Sequence, residues 1–345
     1  MRKFLVLIMS LCFVSCEKQS EIVISDDIKT FSEFPKEEKK VFKNLREFTF
    51  GNPRNMIISD STLILGNHAS GQEYYLHNYS LSTHKFSKPY IAKGRGPGEI
   101  VGMASFGLCG NYLMINDFTG KKMMLIDKNK AISGDLGLDR IEYSFENNRY
   151  YRINLIDSVQ CIATGGEISK FKIQKIDLPT GAIEEFGKLK SYPKDLPSNV
   201  FTMASLTQSF LKPTKNKMVL AYVYTDIIEV FDLNTKKSIS LQGPEKFDSH
   251  FRIHNDKWLE NNQTRVAFLG GTTTNKYIYL LYSGKKFKEE KSFRGDQIFI
   301  YDWDLNPIKQ ITLDREVFQI SVSRDDKTLY SYDELTGYIV STALN

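Results

Sequence analysis

The chain has 345 residues, 41% of them hydrophobic and 12% aromatic, with 46 basic against 41 acidic side chains for a net +5. That length suits one large all-β domain or two smaller ones, and the apolar fraction is ample for a core. A weak charge dispersed along the chain excludes the basic stripe of a nucleic-acid binder, and four cysteines are too few for a disulfide scaffold.

At the N-terminus, Arg2 and Lys3 precede an uncharged apolar run from Phe4 to Val14. Spanning a bilayer as a helix takes roughly 20 residues, so a run this short reads as the h-region of a secretion signal rather than a membrane anchor. The run ends in Phe13-Val-Ser-Cys16. This resembles the lipobox of bacterial lipoproteins, with Phe13 in place of the usual leading Leu; the alternative is an ordinary secretory signal with a chance cysteine. The resemblance implies cleavage before Cys16, lipidation of its thiol and attachment to a membrane by several acyl chains. Glu17 after the cysteine implies the outer membrane, with the periplasmic and surface faces both open. Without Arg2 and Lys3 the balance is 44 against 41, or +3.

Polar residues dominate from Glu17 through Asp26-Asp27 to Pro35-Lys-Glu-Glu-Lys-Lys40, too little apolar surface to offset the entropy of ordering. The expected organisation is a signal over 1–15, a lipidated polar tether over 16–40 and a folded body over 41–345. Within this stretch the segment from Glu33 to Arg46 is the best candidate for a short helix.

The body is repetitive. An Asp or Asn followed by a β-rich run recurs at Asp60, Asn111, Asp157, Asn216, Asn275 and Asp326, at spacings of 51, 46, 59, 59 and 51 residues. In step with it, Tyr79, Ile126-Asp127, Ile176-Asp177, Phe231-Asp232 and Tyr301-Asp302 each end an alternating run. Asp177-Leu-Pro-Thr-Gly181 and Asp232-Leu-Asn-Thr-Lys236 have turn chemistry: Asp accepts a local backbone hydrogen bond, and Gly tolerates positive φ. Six units of about four strands each predict an all-β fold, a six-bladed β-propeller. The last unit is one strand short, and an N-terminal strand such as Arg46-Glu-Phe-Thr-Phe50 would complete it and close the ring. A pair of stacked β-sandwiches is the alternative, but it leaves the shared period unexplained.

Ala92-Lys-Gly-Arg-Gly-Pro-Gly-Glu-Ile100, between the first two units, resembles the Gly-rich linker of NHL-type propeller repeats, and Leu241-Gln-Gly-Pro-Glu-Lys-Phe247 echoes it. The segment is also similar to one in TolB-like six-bladed propeller lipoproteins of the Bacteroidetes type. What that resemblance implies is a fold and an address, and no activity.

Candidate sites are few. Gly94-Arg-Gly-Pro-Gly-Glu99 lacks both the G-x-G-x-x-G spacing and the Lys of a phosphate loop, and reads as a blade crossing. If it is functional, Arg95 would offer a guanidinium fork to a carboxylate or phosphate, with Glu99 as its structural partner. The long 242–265 segment carries Arg252 and Trp258, side chains of the kind that anchor interfaces. His250 and His254 within it lack the flanking Glu of a zincin, so no metal is expected. The charged run from Gly284 to Arg294 reads as a mobile hairpin tip. Asp117, Asp226 and Asp333 end the second strands of three units; such carboxylates cap turns or, if convergent, hold a cation. Cys109 and Cys161 read as separate buried thiols, although an oxidising envelope permits a disulfide. There is no nucleophile elbow and no Ser, His and Asp set. The expectation is a membrane-anchored, non-enzymatic binding module for an envelope protein, peptide or glycan through its rim loops. It needs no cofactor and has no nucleic-acid partner. The alternative is a cation-dependent hydrolase or lyase with its site in the central funnel.

Overall fold

The computed structural model describes residues 22–134, 140–146, 148–167 and 169–344. The expected signal and the expected lipidation site at Cys16 lie outside the described residues. The chain folds into six antiparallel sheets. From the axis outward, blade 1 comprises Pro53–Ser59, Thr62–Asn67, Tyr74–Ser80 and Lys85–Phe86, with Tyr90–Ala92 also paired to its third strand. Blade 2 comprises Met103–Cys109, Tyr112–Asp117, Lys122–Asp127 and Arg140–Ser144, and blade 3 comprises Tyr150–Leu155, Gln160–Gly166, Phe171–Asp177 and Ile183–Lys188. Blade 4 runs Thr207–Leu211, Lys217–Tyr222, Ile227–Asp232 and Ser238–Gln242, and blade 5 runs Phe268–Thr273, Tyr277–Tyr282, Gly295–Asp302 and Pro307–Val317. Blade 6 combines Ser321–Val322, Thr328–Asp333 and Tyr338–Ala343 with Lys43–Glu47 on its outside, where Tyr338 stands opposite Glu47 and Ile339 opposite Arg46. The ring is therefore closed by an N-terminal strand.

The second strands of all six blades begin at the repeat markers. They are the most buried because both faces pack on neighbouring blades: Thr62–Asn67 has no exposed residue, and Leu63, Ile64 and Leu65 are wholly buried. Near-continuous apolar runs such as Leu113-Met-Ile115 and Leu280-Leu281 follow from this two-sided burial. The outer hairpins form as the turn chemistry predicts. Asp177 Oδ1 accepts from the Thr180 amide at 3.1 Å, and Asp232 Oδ1 accepts from the Asn234 and Thr235 amides at 3.0 and 2.8 Å. Gly181 and Lys236 occupy the same left-handed position, at φ 71° and 58°. In blade 2 the equivalent Asp127 instead caps a one-turn helix, Lys128–Ser133.

Two expectations for the N-terminal segment fail. From residue 22 onward the polar tether is part of the wheel. Ile28–Thr30 adds a fifth, parallel strand to blade 4, and Glu37–Lys40 does the same for blade 5. The helix expected within 33–46 is two strands instead. The outer edges of blades 4 and 5 offer unpaired backbone groups, and satisfying them outweighs a weak helical preference. Ile22, Ile24 and Phe34 supply enough burial to hold the segment down. Cys109 and Cys161 are both free and buried. No described helix is long and apolar enough to cross a membrane.

Candidate functional site: the axial tunnel

Because each blade has an inner strand running the same way along the axis, every crossing between blades falls on one face of the wheel, together with the loops between second and third strands. We term this the crossover face. It carries the long insertions: 189–206 with helix Ser198–Ala204, 243–267 with the hairpin Arg252–His254 and Lys257–Leu259, and 283–294. The six inner strands enclose a tunnel of about 560 Å³ whose lining includes the cationic Arg54, Arg152, Lys212, Lys215 and Arg324. No Asp or Glu lines it among the described residues.

Arg54 and Arg152 stand near the starts of their inner strands, at the crossover mouth; Lys212, Lys215 and Arg324 stand near the opposite end. Arg152 spans three consecutive blades. From blade 3 its Nε donates to Gln208 Oε1 of blade 4 at 2.9 Å, and its Nη1 donates to the Ala104 carbonyl of blade 2 at 3.2 Å. All its acceptors are neutral. Burial lowers the guanidinium pKa to about 10, so it remains protonated at neutral pH. Arg54 is exposed to the tunnel mouth and lies 5.4 Å from the centre of the Phe318 ring. Burial, and then the charges of Arg54, Lys93 and Arg152, pull His68 down to about 4, leaving the imidazole neutral at pH 7. Its Nε2 lies 3.2 Å from Asn55 Nδ2. The charges of Arg54, Lys93 and Arg152 thus converge near His68.

Two neutral groups complete the mouth. Gln319 is 7% exposed and its Nε2 has no protein partner; Ser105 Oγ is also buried without one. Both line the tunnel. Around the rim, cations are paired: Arg149 with Glu167, Arg265 with Glu245 and Arg294 with Glu334. Inside the tunnel, by contrast, the hydrogen bonds of Arg152 all go to neutral groups, while Arg324 at the opposite end meets Asp60 at 3.4 Å. Sequence reasoning missed these residues because a single Arg in Tyr150-Tyr-Arg-Ile-Asn-Leu155 looks like the polar half of an alternating strand. Its position on an innermost strand is what turns it toward the axis.

The residues singled out from sequence lie on two crossings of the same face and do not form one site. Arg95 is exposed on the crossing from blade 1 to blade 2. Glu99 turns away from it to accept the Gly96 amide at 2.7 Å, and a Cβ on Gly94 would collide with that carboxylate, so the glycines serve Glu99 rather than a phosphate. Arg252, on the crossing from blade 4 to blade 5, donates to the Glu260 carbonyl at 3.3 Å. Trp258 is stacked on Tyr224 at 4.7 Å and packs against Phe251 and Phe287, so it joins the hairpin to the 283–294 loop instead of displaying an anchor. The charged run is held by the same cluster. His250 and His254 lie on either side of Arg252 in an extended segment, not on a helix.

Asp117 and Asp333 end their second strands and cap the turns that follow, whereas Asp226 lies in the loop beyond Lys217–Tyr222, not at a strand end, and holds the crossing from blade 4 to blade 5. Asp117 accepts the Val101, Gly102 and Gly120 amides, Asp226 those of Lys246 and Phe247, and Asp333 that of Leu335 together with the Arg315 guanidinium. No three His, Cys, Asp or Glu converge to hold a metal ion among the described residues.

The sequence model of the TolB-like 6-blade propeller-like family matches residues 30–325. The chain belongs to this family. No curated protein matches this TolB-like propeller. Among solved structures it is similar to a Bacteroides fragilis protein provisionally designated as exported, at TM-score 0.56 and 11% identity over 92% of this chain and 99% of that one. It is similar also to a Bacteroides vulgatus member of the DUF4221 family, at TM-score 0.54 and 11% identity over 95% and 98%. A third is the calcium-binding protein regucalcin from Agrobacterium tumefaciens, at TM-score 0.50 and 11% identity over 89% and 96%. At these identities the TolB-like propeller shares a fold with them and nothing finer.

Proposed function

We propose that this TolB-like propeller is a binding module of the cell envelope, lipid-anchored through Cys16, that receives its ligand at the crossover face where the tunnel opens. The observation that carries this reading is the placement of the long insertions around one mouth of an open tunnel, with no cluster of three metal-ligating side chains among the described residues. A rigid wheel that positions variable loops around a concavity is built for recognition. The signal-like N-terminus supports an extracytoplasmic address, as does the likeness to a Bacteroides protein designated as exported. A cation-dependent hydrolase or lyase fits less well, since a tunnel lined by five cations and, among the described residues, no carboxylate repels a divalent ion.

The test has two readouts on the same protein. Metabolic labelling with an alkynyl fatty acid is expected to tag the wild type and to fail with Cys16→Ala, which leaves the membrane fraction. Elemental analysis of the purified, dialysed protein is expected to find less than 0.1 equivalent, or about a tenth, of any divalent metal. A stoichiometric cation would overturn the binding reading in favour of the enzyme.

A further inference from the structure

We propose that the crossover mouth of the tunnel is an oxyanion site, taking the carboxylate or phosphate group of a small ligand between Arg54 and Arg152, with Gln319 and Ser105 as neutral donors. This rests on the binding-module reading and names the ligand class of that site.

Four observations bear on it. Arg54, Ser105 and Arg152 occupy the second or third position of three inner strands, and Gln319 lies just before a fourth, so the groups stand at one level of the wheel. Arg152 is fixed in direction by Gln208 and the Ala104 carbonyl but is neutralised by neither. A half-buried cation without a counter-charge is costly unless an anion completes it. The one carboxylate that acts on nearby Tyr75, Asp117, is already committed to three backbone amides. Finally, Gln319 Nε2 is a buried donor lacking a protein acceptor, and an oxyanion supplies acceptors. A guanidinium offers its N–H groups in a planar fork that matches carboxylate and phosphate oxygens. Low-dielectric walls strengthen the attraction of Arg54 and Arg152 for a charge on the axis.

The experiment titrates the full-length mature protein with sodium phosphate and, separately, sodium citrate, at ionic strength held constant with sodium chloride. Calorimetry is expected to show saturable binding of at least one, and the imidazole resonance of His68 to shift as its pKa rises. Binding of phosphate alone identifies a phosphate ligand, and binding of citrate alone a carboxylate. Arg54→Gln, at an exposed position where folding is not at stake, is expected to weaken binding at least tenfold, and Arg152→Gln likewise. Lys212→Gln at the other mouth should change it less than twofold. No saturable binding of either probe, or an Arg54→Gln protein that binds as tightly as wild type, would overturn the site. That result would leave the module reading standing, because that reading fails separately on a stoichiometric metal or an unlabelled Cys16.

Discussion

At the scale of single residues, the histidines of blade 1 show how burial decides charge. His77 is 3% exposed, stacked on Phe50 at 4.9 Å and set against the edge of Phe48, and neither ring nitrogen has a protein partner. Burial, followed by the charge of Lys93, lowers it to about 4. In the unfolded chain an ordinary histidine protonates near pH 6.5, so between pH 6.5 and 4 the unfolded state takes up the proton first and stability falls as pH falls. The interval is worth about 3 kcal/mol when complete, below pH 4. His77→Phe removes the proton sink while retaining an aromatic ring among Phe48, Phe50 and Phe86. Urea midpoints at pH 7, 5 and 4 should therefore decline less steeply for the variant than for wild type. Equal declines would show that His77 protonates at an ordinary pH in the fold. His68 acts in the same direction, and its variant would show whether the two add.

At the scale of elements, the junction of blades 3 and 4 is held by a buried ionic network. Lys172 Nζ donates to both Glu229 oxygens at 2.9 and 2.8 Å and to the Ile24 carbonyl at 2.8 Å, and Tyr222 and Ser240 donate to the same carboxylate. Lys172 and Glu229 have side chains 4% and 0% exposed. Glu229→Gln keeps the shape but leaves the ammonium buried without its counter-charge, and is expected to cost about 3–5 kcal/mol by chemical denaturation. Lys172→Met with Glu229→Gln should recover part of that loss, because no charge then remains buried. This network was not legible in the sequence. Lys172 alternates with Phe171 and Ile173 like any surface residue of a strand, and it is buried only because blade 4 and the N-terminal segment, far away along the chain, both close over it. The repeat itself was legible, because the second strands are buried on both faces and read as apolar runs behind a turn residue. Trp258 illustrates the limit in the other direction: a tryptophan on a long loop marks a contact, but the sequence does not say whether that contact is a partner or the chain's own Tyr224 and Phe287. Trp258→Ala is accordingly expected to loosen both 243–267 and 283–294, seen as faster amide exchange in the two loops together, while the inner strands stay protected.

At the scale of the whole molecule, the N-terminal segment does two separable things. Ile22–Lys40 thickens blades 4 and 5 from outside, whereas Lys43–Glu47 completes blade 6 and joins the two ends of the polypeptide in one sheet. Edge thickening and ring closure have different energetics. Removing residues 16–30 forfeits the burial of Ile22 and Ile24, roughly 1.5–3 kcal/mol for each side chain, but leaves six complete four-stranded sheets. Removing residues 16–47 exposes the edge of Tyr338–Ala343 and unpacks Phe48 and Ile339, which share a cluster spanning blades 6 and 1. Once that seam is open, neighbouring blades lack a partner on one side, and the wheel can fray from it blade by blade. The shorter deletion should therefore lower the denaturation midpoint and keep a single transition. The longer one should broaden or split the transition, with amide exchange fastest in blades 6 and 1. If both deletions unfold in one sharp step at the same midpoint, the closing strand does not hold the ring together. Circular closure also explains how Arg54 and Arg152 can face one mouth together: side chains on six inner strands are held at a fixed radius by a closed frame, which prevents them from moving outward to relieve their mutual repulsion. Loss of the seam should then relax the field at the axis, and in the longer deletion His68 should titrate closer to its ordinary value, a change that proton resonances of the imidazole would report.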